Sequence, residues 1–192
     1  MTLLSCETES IMEHDGGWRR RSWRYLFESR WLKLRQDEIT LPSGVEITYT
    51  VIEHPGFVVV VPVLADGRVV MEQVYRYPIQ RTLLECPSGG LDGEAPETAA
   101  RRELEEETGY RAQSLSHLGH FVSSSGVSNE AYDIFLATDL SADGVMQREP
   151  TEQMEVVLLP LTELRARVLR HELEDGPSAL AILLAAVQLL GA

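Results

Sequence analysis

Three glutamates, Glu103, Glu106 and Glu107, stand at spacings of three and four within the run Glu94 to Tyr110, EAPETAARRELEEETGY. On a helix successive residues turn by ~100°, so the three carboxylates share one face within roughly 100°. Like charges side by side cost a bare helix about a few tenths of a kcal/mol per pair, and the cluster therefore invites a counter-cation. Oxygen donors without Cys or clustered His favour a hard ion, Mg²⁺ or Mn²⁺, over zinc. The plainer alternative is a solvated acidic helix face. The stretch immediately upstream, Cys86-Pro87-Ser88-Gly89-Gly90-Leu91-Asp92-Gly93, shifts the balance, because a glycine-rich loop lets backbone groups approach a ligand closely.

Other candidates surround this run. Glu85 ends a strand directly before the loop, where a buried carboxylate needs either a ligand contact or an arginine partner. Arg76, at the end of a strand before the loop, and Arg81 are the nearby cations, with a plain surface role the equal alternative. Glu149 and Glu152, in Arg148-Glu149-Pro150-Thr151-Glu152, are further acids downstream of the helix, with solvated side chains the plainer alternative. His54, His117, His120 and His171 show no ligand spacing and read as ordinary surface or core histidines.

The elements that must position these groups are legible from pattern. Pro96 suits the first turn of a helix, Ala99, Ala100 and Leu104 supply its apolar stripe, and Gly109 ends it; Ala95 is a poor N-cap. Phe57 to Leu64 is a nearly unbroken β-branched run, as expected of a strand buried on both faces, and Asp66-Gly67 turns the chain into Val69 to Tyr75. Further strands are expected at Tyr25 to Leu34, Gln36 to Ile39, Val45 to Val51, Arg81 to Glu85, Leu118 to Val122, Tyr132 to Thr138 and Glu155 to Leu159. Leu161 to about Leu173 and Pro177 to Leu190 read as helices. Strands first, a helix in the middle and helices at the end predict a mixed α/β (α+β) fold, a mixed sheet with helices packed against it.

Length and charge bound what remains. At 192 residues and 44% apolar composition the chain suits one globular domain. A net charge of −13 repels phosphate polyanions at long range, which argues against a nonspecific nucleic-acid or anionic-membrane binder. Any phosphate must be met locally, by metal or by a few placed cations. Cys6 and Cys86 are too few for a disulfide framework, no secretory signal is visible, and Ala179 to Leu190 is too short to span a bilayer, so a cytoplasmic protein is expected.

Glu94, followed by Arg102-Glu103-Leu104-Glu105-Glu106-Glu107-Thr108-Gly109, resembles the signature of the Nudix hydrolases. One departure is that four residues, rather than the usual five, separate Gly89 from Glu94. Gln73-Val74-Tyr75-Arg76-Tyr77-Pro78 followed by Leu84-Glu85-Cys86-Pro87-Ser88-Gly89, together with Gly126 and Asn129-Glu130, is similar to the ADP-ribose pyrophosphatase branch. There Ser125 replaces the proline usual for that branch. The resemblance implies a Nudix fold, with a mixed sheet sandwiched between helices and an N-terminal antiparallel extension. It implies two or three Mg²⁺ ions, with Mn²⁺ as substitute, on Glu103, Glu106 and Glu107, the Ser88 carbonyl and Glu152. Arg102 would hold the carboxylates, with Glu94 its expected partner; Arg76, Arg81, Glu85, Gly89 and Gly90 would face the substrate, Arg76 or Arg81 meeting a phosphate or the terminal sugar; and Glu152 or Glu149 would orient the attacking water.

The implied substrate is a nucleoside diphosphate derivative, ADP-ribose first, with GDP-mannose, ADP-glucose or NADH as alternatives and a non-catalytic nucleotide-sugar sensor as the competing class. The organisation expected is a loose tail (1–17), an N-terminal strand segment (18–54) and a catalytic domain (55–192). The aromatics Trp18, Trp23, Tyr25, Phe27 and Trp31 are expected to build a homodimer that helps hold the adenine, or else to cover the chain's own sheet.

Overall fold

A computed structural model describes residues 12–14, 16–148 and 153–191. The chain divides into two compact units, residues 1–55 with 122–131, and residues 56–121 with 132–192.

The first unit is an antiparallel meander of β1 (Met12–His14), β2 (Trp18–Glu28), β3 (Lys33–Thr40) and β4 (Glu46–Glu53), in that spatial order. Met12–His14 pair with Trp18–Arg20, a strand inside the segment expected to be a loose tail. The strand expected from Tyr25 through Leu34 is broken by a turn: Ser29 Oγ accepts from the backbone N–H of Trp31 and Leu32, and Ser29 N–H donates to Leu32 C=O. The apolar Trp31 and Leu32 disguise that turn as strand. Inside the sheet, Arg35 forks onto the buried Asp37 at 2.7 and 2.9 Å and also pairs with Glu53, which accepts from Tyr25 Oη at 2.8 Å. Trp23 and Tyr25 meet edge to face at 5.0 Å, whereas Phe27 and Trp31 are more than half exposed. The segment 122–131 joins this unit, with Tyr49 Oη donating to Gly126 C=O and Asn129 bonding Ile52 and His54.

The second unit is built on β5 (Phe57–Pro62), whose sequence Val58-Val59-Val60-Val61 is buried on both faces as its composition predicts. Strand residues alternate sides. Val58 and Val60 face α1 (Pro96–Thr108) through Ala99, Ala100 and Leu104. Val59 and Val61 belong to the opposite core, with Leu161 and Leu164 of α2 (Leu161–Leu169) and Ala181, Ile182 and Ala185 of α3 (Gly176–Leu190). Helices therefore sandwich a sheet of order β8-β5-β10-β9, where β8 is Ser88–Gly90, β9 Arg111–Val122 and β10 Ala131–Ser141. β5 and β10 run parallel, Tyr132 opposite Phe57, and β8 is antiparallel to β5. A second, antiparallel sheet has the order β11-β6-β7, from Met154–Pro160, Arg68–Arg76 and Arg81–Glu85. Leu161–Leu169 ends four residues before the expected Leu173, and Leu118–Val122 proves to be the end of a longer strand beginning at Arg111.

Candidate active site

The chain changes sheets between Glu85, the last residue of β7, and Ser88, the first of β8. That crossing carries the glycine-rich loop onto α1. Pro96 sits in the first turn, and Gly109 closes the helix in the left-handed conformation at φ 73°, its N–H donating to Glu105 C=O at 2.8 Å. Ala95 contributes no side-chain cap.

Arg102 is the hub. Its Nε donates to Glu94 at 2.9 Å, Nη1 to Glu103 at 2.7 Å and Glu106 at 3.2 Å, and Nη2 to the Gly90 carbonyl at 2.9 Å. Burial opposes its charge, but the hydrogen bond to Glu94 and the charges and hydrogen bonds of Glu103 and Glu106 outweigh this and raise its pKa further above the ordinary arginine value. Glu103 and Glu107 are buried, and Glu107 accepts the Ser88 N–H at 2.8 Å. A Cβ built on Gly89 would overlap the Glu103 carboxylate, so only glycine leaves room for that side chain. Among the described residues no three acidic, imidazole or thiol groups stand together as a ready cage. Arg102 draws Glu103 and Glu106 to itself while Ser88 holds Glu107, which keeps the three carboxylates on one face but separately engaged.

The short Gly89–Glu94 loop closes by a tight turn: Glu94 N–H bonds Leu91 C=O at 2.8 Å, and Asp92 and Gly93 both have positive φ, 47° and 83°. Two successive left-handed residues are the backbone pattern of a type I′ turn, for which Asp-Gly is well suited. The missing residue thus tightens the turn and leaves the α1 register intact.

The structure separates the two arginines of the β6–β7 hairpin. Arg76 forks onto the buried Glu85, Nε to Oε1 at 2.9 Å and Nη2 to Oε2 at 2.5 Å, and this pairing leads the upward shift of its pKa, to which the charges of Asp175 and Glu107 also contribute. Arg81 instead pairs with Glu174 at 2.7 Å in an exposed bridge. Glu149 and Glu152 lie outside the described residues. Just before them, Arg148 donates to Glu107 C=O through Nε and Nη2, at 2.8 and 2.5 Å, and to Met154 C=O at 3.1 Å. Gln147 N–H reaches Glu106 C=O and Gly144 N–H reaches Gly109 C=O, so the chain after β10 satisfies carbonyls at the end of α1.

Sequence reasoning passed over Arg148, because the carbonyls it caps are far away in the chain. It also passed over Glu72, buried in β6 opposite Glu85, although a lone acid within Val69–Val74 was a readable signal. His117 and His120 both bond Asp133, at 2.7 and 3.1 Å, while Cys86 is a buried thiol whose pKa burial pushes far up, which leaves it protonated and unreactive. In the first unit Ser125 is exposed beside a turn in which Val127 and Ser128 N–H bond Ser124 C=O. That unit also holds a cleft of about 300 Å³ lined by Arg30, Trp31, Lys33, Glu53, His54 and Asn129, with the Arg30 guanidinium 3.9 Å over the Trp31 ring.

Comparison with known proteins matches a NUDIX domain to residues 53–180. The chain belongs to the Nudix family. Residues 18–52 match the nucleoside diphosphate sugar hydrolase N-terminal domain. An ADP-ribose pyrophosphatase of Bacillus subtilis is 35% identical over 159 residues, 82% of this chain and 86% of that protein. A protein named methanol dehydrogenase activator, from Bacillus methanolicus, is 31% identical over the same shares. A crystal structure of an ADP compounds hydrolase shares the fold, with TM-score 0.79 and 23% identity across 95% of this chain and 97% of that one. With the Glu94 and Arg102–Glu107 motif intact, this Nudix protein is a pyrophosphohydrolase. No helix among its described residues is long and apolar enough to cross a membrane.

Proposed function

We propose that this Nudix enzyme hydrolyses the diphosphate bond of a nucleoside diphosphate derivative in a Mg²⁺-dependent reaction, with ADP-ribose cleaved to AMP and ribose 5-phosphate as the favoured substrate. The observation that carries the reading is the Arg102 hub, which holds Glu94, Glu103 and Glu106 beside a Gly89 whose missing Cβ leaves the space that the Glu103 carboxylate fills. An all-carboxylate donor set with close backbone fits a hard divalent ion. When bound on Glu103, Glu106 and Glu107, with the Ser88 carbonyl and Glu152, two or three such ions supply charge neutralisation at the nonbridging phosphate oxygens and lower the pKa of a water. They also account for an acidic protein taking an acidic substrate.

The chain's own groups do the rest. Arg102 keeps two carboxylates on one face, and the Ser88 N–H fixes the third. Glu85 holds Arg76 by Nε and Nη2, which leaves Nη1 as the donor assigned to a phosphate or sugar. Arg81 is the secondary candidate for that contact. Glu152, ahead of Glu149, is assigned the orientation of the attacking water. The relative named as an activator suggests a second reading, a hydrolase that also acts on a partner protein; the complete set of motif carboxylates makes hydrolysis the first reading. The two cysteines and the nucleotide substrate fit a cytoplasmic enzyme.

Specificity tests the substrate. Proline at position 125 would fix the backbone before Gly126, whereas serine leaves it freer. ADP-ribose should remain among the best substrates with weakened discrimination against ADP-glucose, and Ser125→Pro should sharpen the preference. The measurement is kcat/KM for ADP-ribose, ADP-glucose and GDP-mannose in both proteins. A preference for GDP-mannose of about tenfold or more, or ratios untouched by the substitution, contradicts the assignment.

The N-terminal sheet is assigned dimerisation, its large aromatics helping to hold the adenine. Trp23 and Tyr25 pack on their own sheet, but Phe27 and Trp31 remain 55% and 56% exposed, more aromatic surface than a lone sheet accounts for. Sedimentation velocity should show a homodimer at micromolar concentration, and a fully active monomer would contradict this.

A further inference from the structure

We infer that Ser178, at the start of the last helix and absent from every motif above, is a positioning residue for the loop that holds Glu107. Where the chain leaves β7 for β8, its backbone belongs to neither sheet, and each polar group there needs a partner from elsewhere. Pro87 has no N–H. Its carbonyl accepts from Val60 N–H of β5 at 2.9 Å, and the next N–H, of Ser88, donates to Glu107 at 2.8 Å. The remaining N–H, that of Cys86, donates to Ser178 Oγ at 2.9 Å. Both residues are 1% exposed, so water cannot replace the hydroxyl.

Ser178 is itself fixed, because its N–H donates to the Asp175 carboxylate that caps α3, at 2.9 Å. The resulting path runs from the Asp175 cap through Ser178 Oγ to Cys86 N–H, and from there two residues along the chain to Ser88 N–H and the Glu107 carboxylate. On its other side Cys86 adjoins Glu85, which holds Arg76. One hydroxyl therefore sets the crossing from which both the Glu107 arm and the Arg76 arm depart. Alanine at 178 would leave the Cys86 amide buried without an acceptor, and the crossing would shift to find one.

This role rests on the proposed metal-dependent hydrolysis and is tested with a readout that does not need turnover. Mn²⁺ binding to the full-length chain is titrated by electron paramagnetic resonance, alongside kcat, KM and thermal melting, for wild type, Ser178→Ala, Ser178→Thr, Ser178→Cys and Ile182→Val. Ile182 is buried one turn along the same helix, in the core cluster that also holds Cys86, and its side chain makes none of the hydrogen bonds named above, so Ile182→Val serves as the packing control. Ser178→Ala should weaken Mn²⁺ binding several-fold and lower kcat about tenfold with KM changed less than about twofold. Threonine, which keeps the oxygen, should recover most of both. Ile182→Val should lower the melting temperature and leave Mn²⁺ affinity alone. If alanine prevents folding, cysteine, close in volume and a weaker acceptor, should show the same loss in smaller measure.

Wild-type affinity and kcat in Ser178→Ala, or in Ser178→Cys where alanine does not fold, would overturn the role while leaving the function standing. An equal loss in Ile182→Val would do the same. A wild-type chain that neither binds Mn²⁺ nor turns over would overturn the proposed function and this role with it.

Discussion

Glu106→Gln and Glu107→Gln are each expected to lower turnover at least ~100-fold while the circular dichroism spectrum stays that of the wild type. Neither carboxylate supports the apolar core. Glu106 is partly exposed and bonded to Arg102, and Glu107, though buried, faces the Ser88 amide rather than the side chains packed under α1. A glutamine keeps the volume and still offers an acceptor to Ser88 or Arg102, so the fold survives; what it removes is negative charge. That charge matters little to a solvated helix face and greatly to a metal-held diphosphate. Kinetics at saturating Mg²⁺ and thermal melts decide between them. Near-normal rates in both variants would return the acidic stripe to a solvated surface.

The second large effect is expected from a single methyl group. Gly89→Ala places a Cβ inside the space of the Glu103 carboxylate, and Glu103 cannot swing away without giving up its bond to Arg102 at 2.7 Å. The Glu103 carboxylate, the end of a flexible side chain, must then move from its place in the cluster. A fall in kcat of about 100-fold follows, with a lower melting temperature but a folded protein. Gly176→Ala is the control, since a Cβ there meets nothing and its helical position accepts alanine. Wild-type kcat in Gly89→Ala would mean that turnover does not need Glu103 in its place beside Arg102.

The parts of this site that were legible in the sequence are those coded by neighbours along the chain. Pro96 and Gly109 bracket the helix, the 3,4 spacing puts Glu103, Glu106 and Glu107 on one face, and the valines of Phe57–Pro62 announce a strand covered on both sides. The illegible parts are tertiary. Ser88–Gly90 pairs as a strand only because β5 lies beside it, and no local propensity marks three such residues. Arg76 and Arg81 face each other in the hairpin register, yet one bonds Glu85 nearby and the other Glu174, 93 residues on. Ser178 and Arg148 act on backbone groups, which carry no sequence signature at all.

In the proposed function the carboxylate face of α1 runs metal-dependent diphosphate hydrolysis. Its most direct test is ³¹P NMR of ADP-ribose incubated with the full-length protein, first with EDTA and then with Mg²⁺ in excess. The diphosphate signal should stay unchanged in EDTA and be replaced, after Mg²⁺, by two phosphomonoester signals matching AMP and ribose 5-phosphate. Equal cleavage in EDTA, or an intact diphosphate for ADP-ribose and for the other nucleotide sugars with Mg²⁺ present, would contradict it.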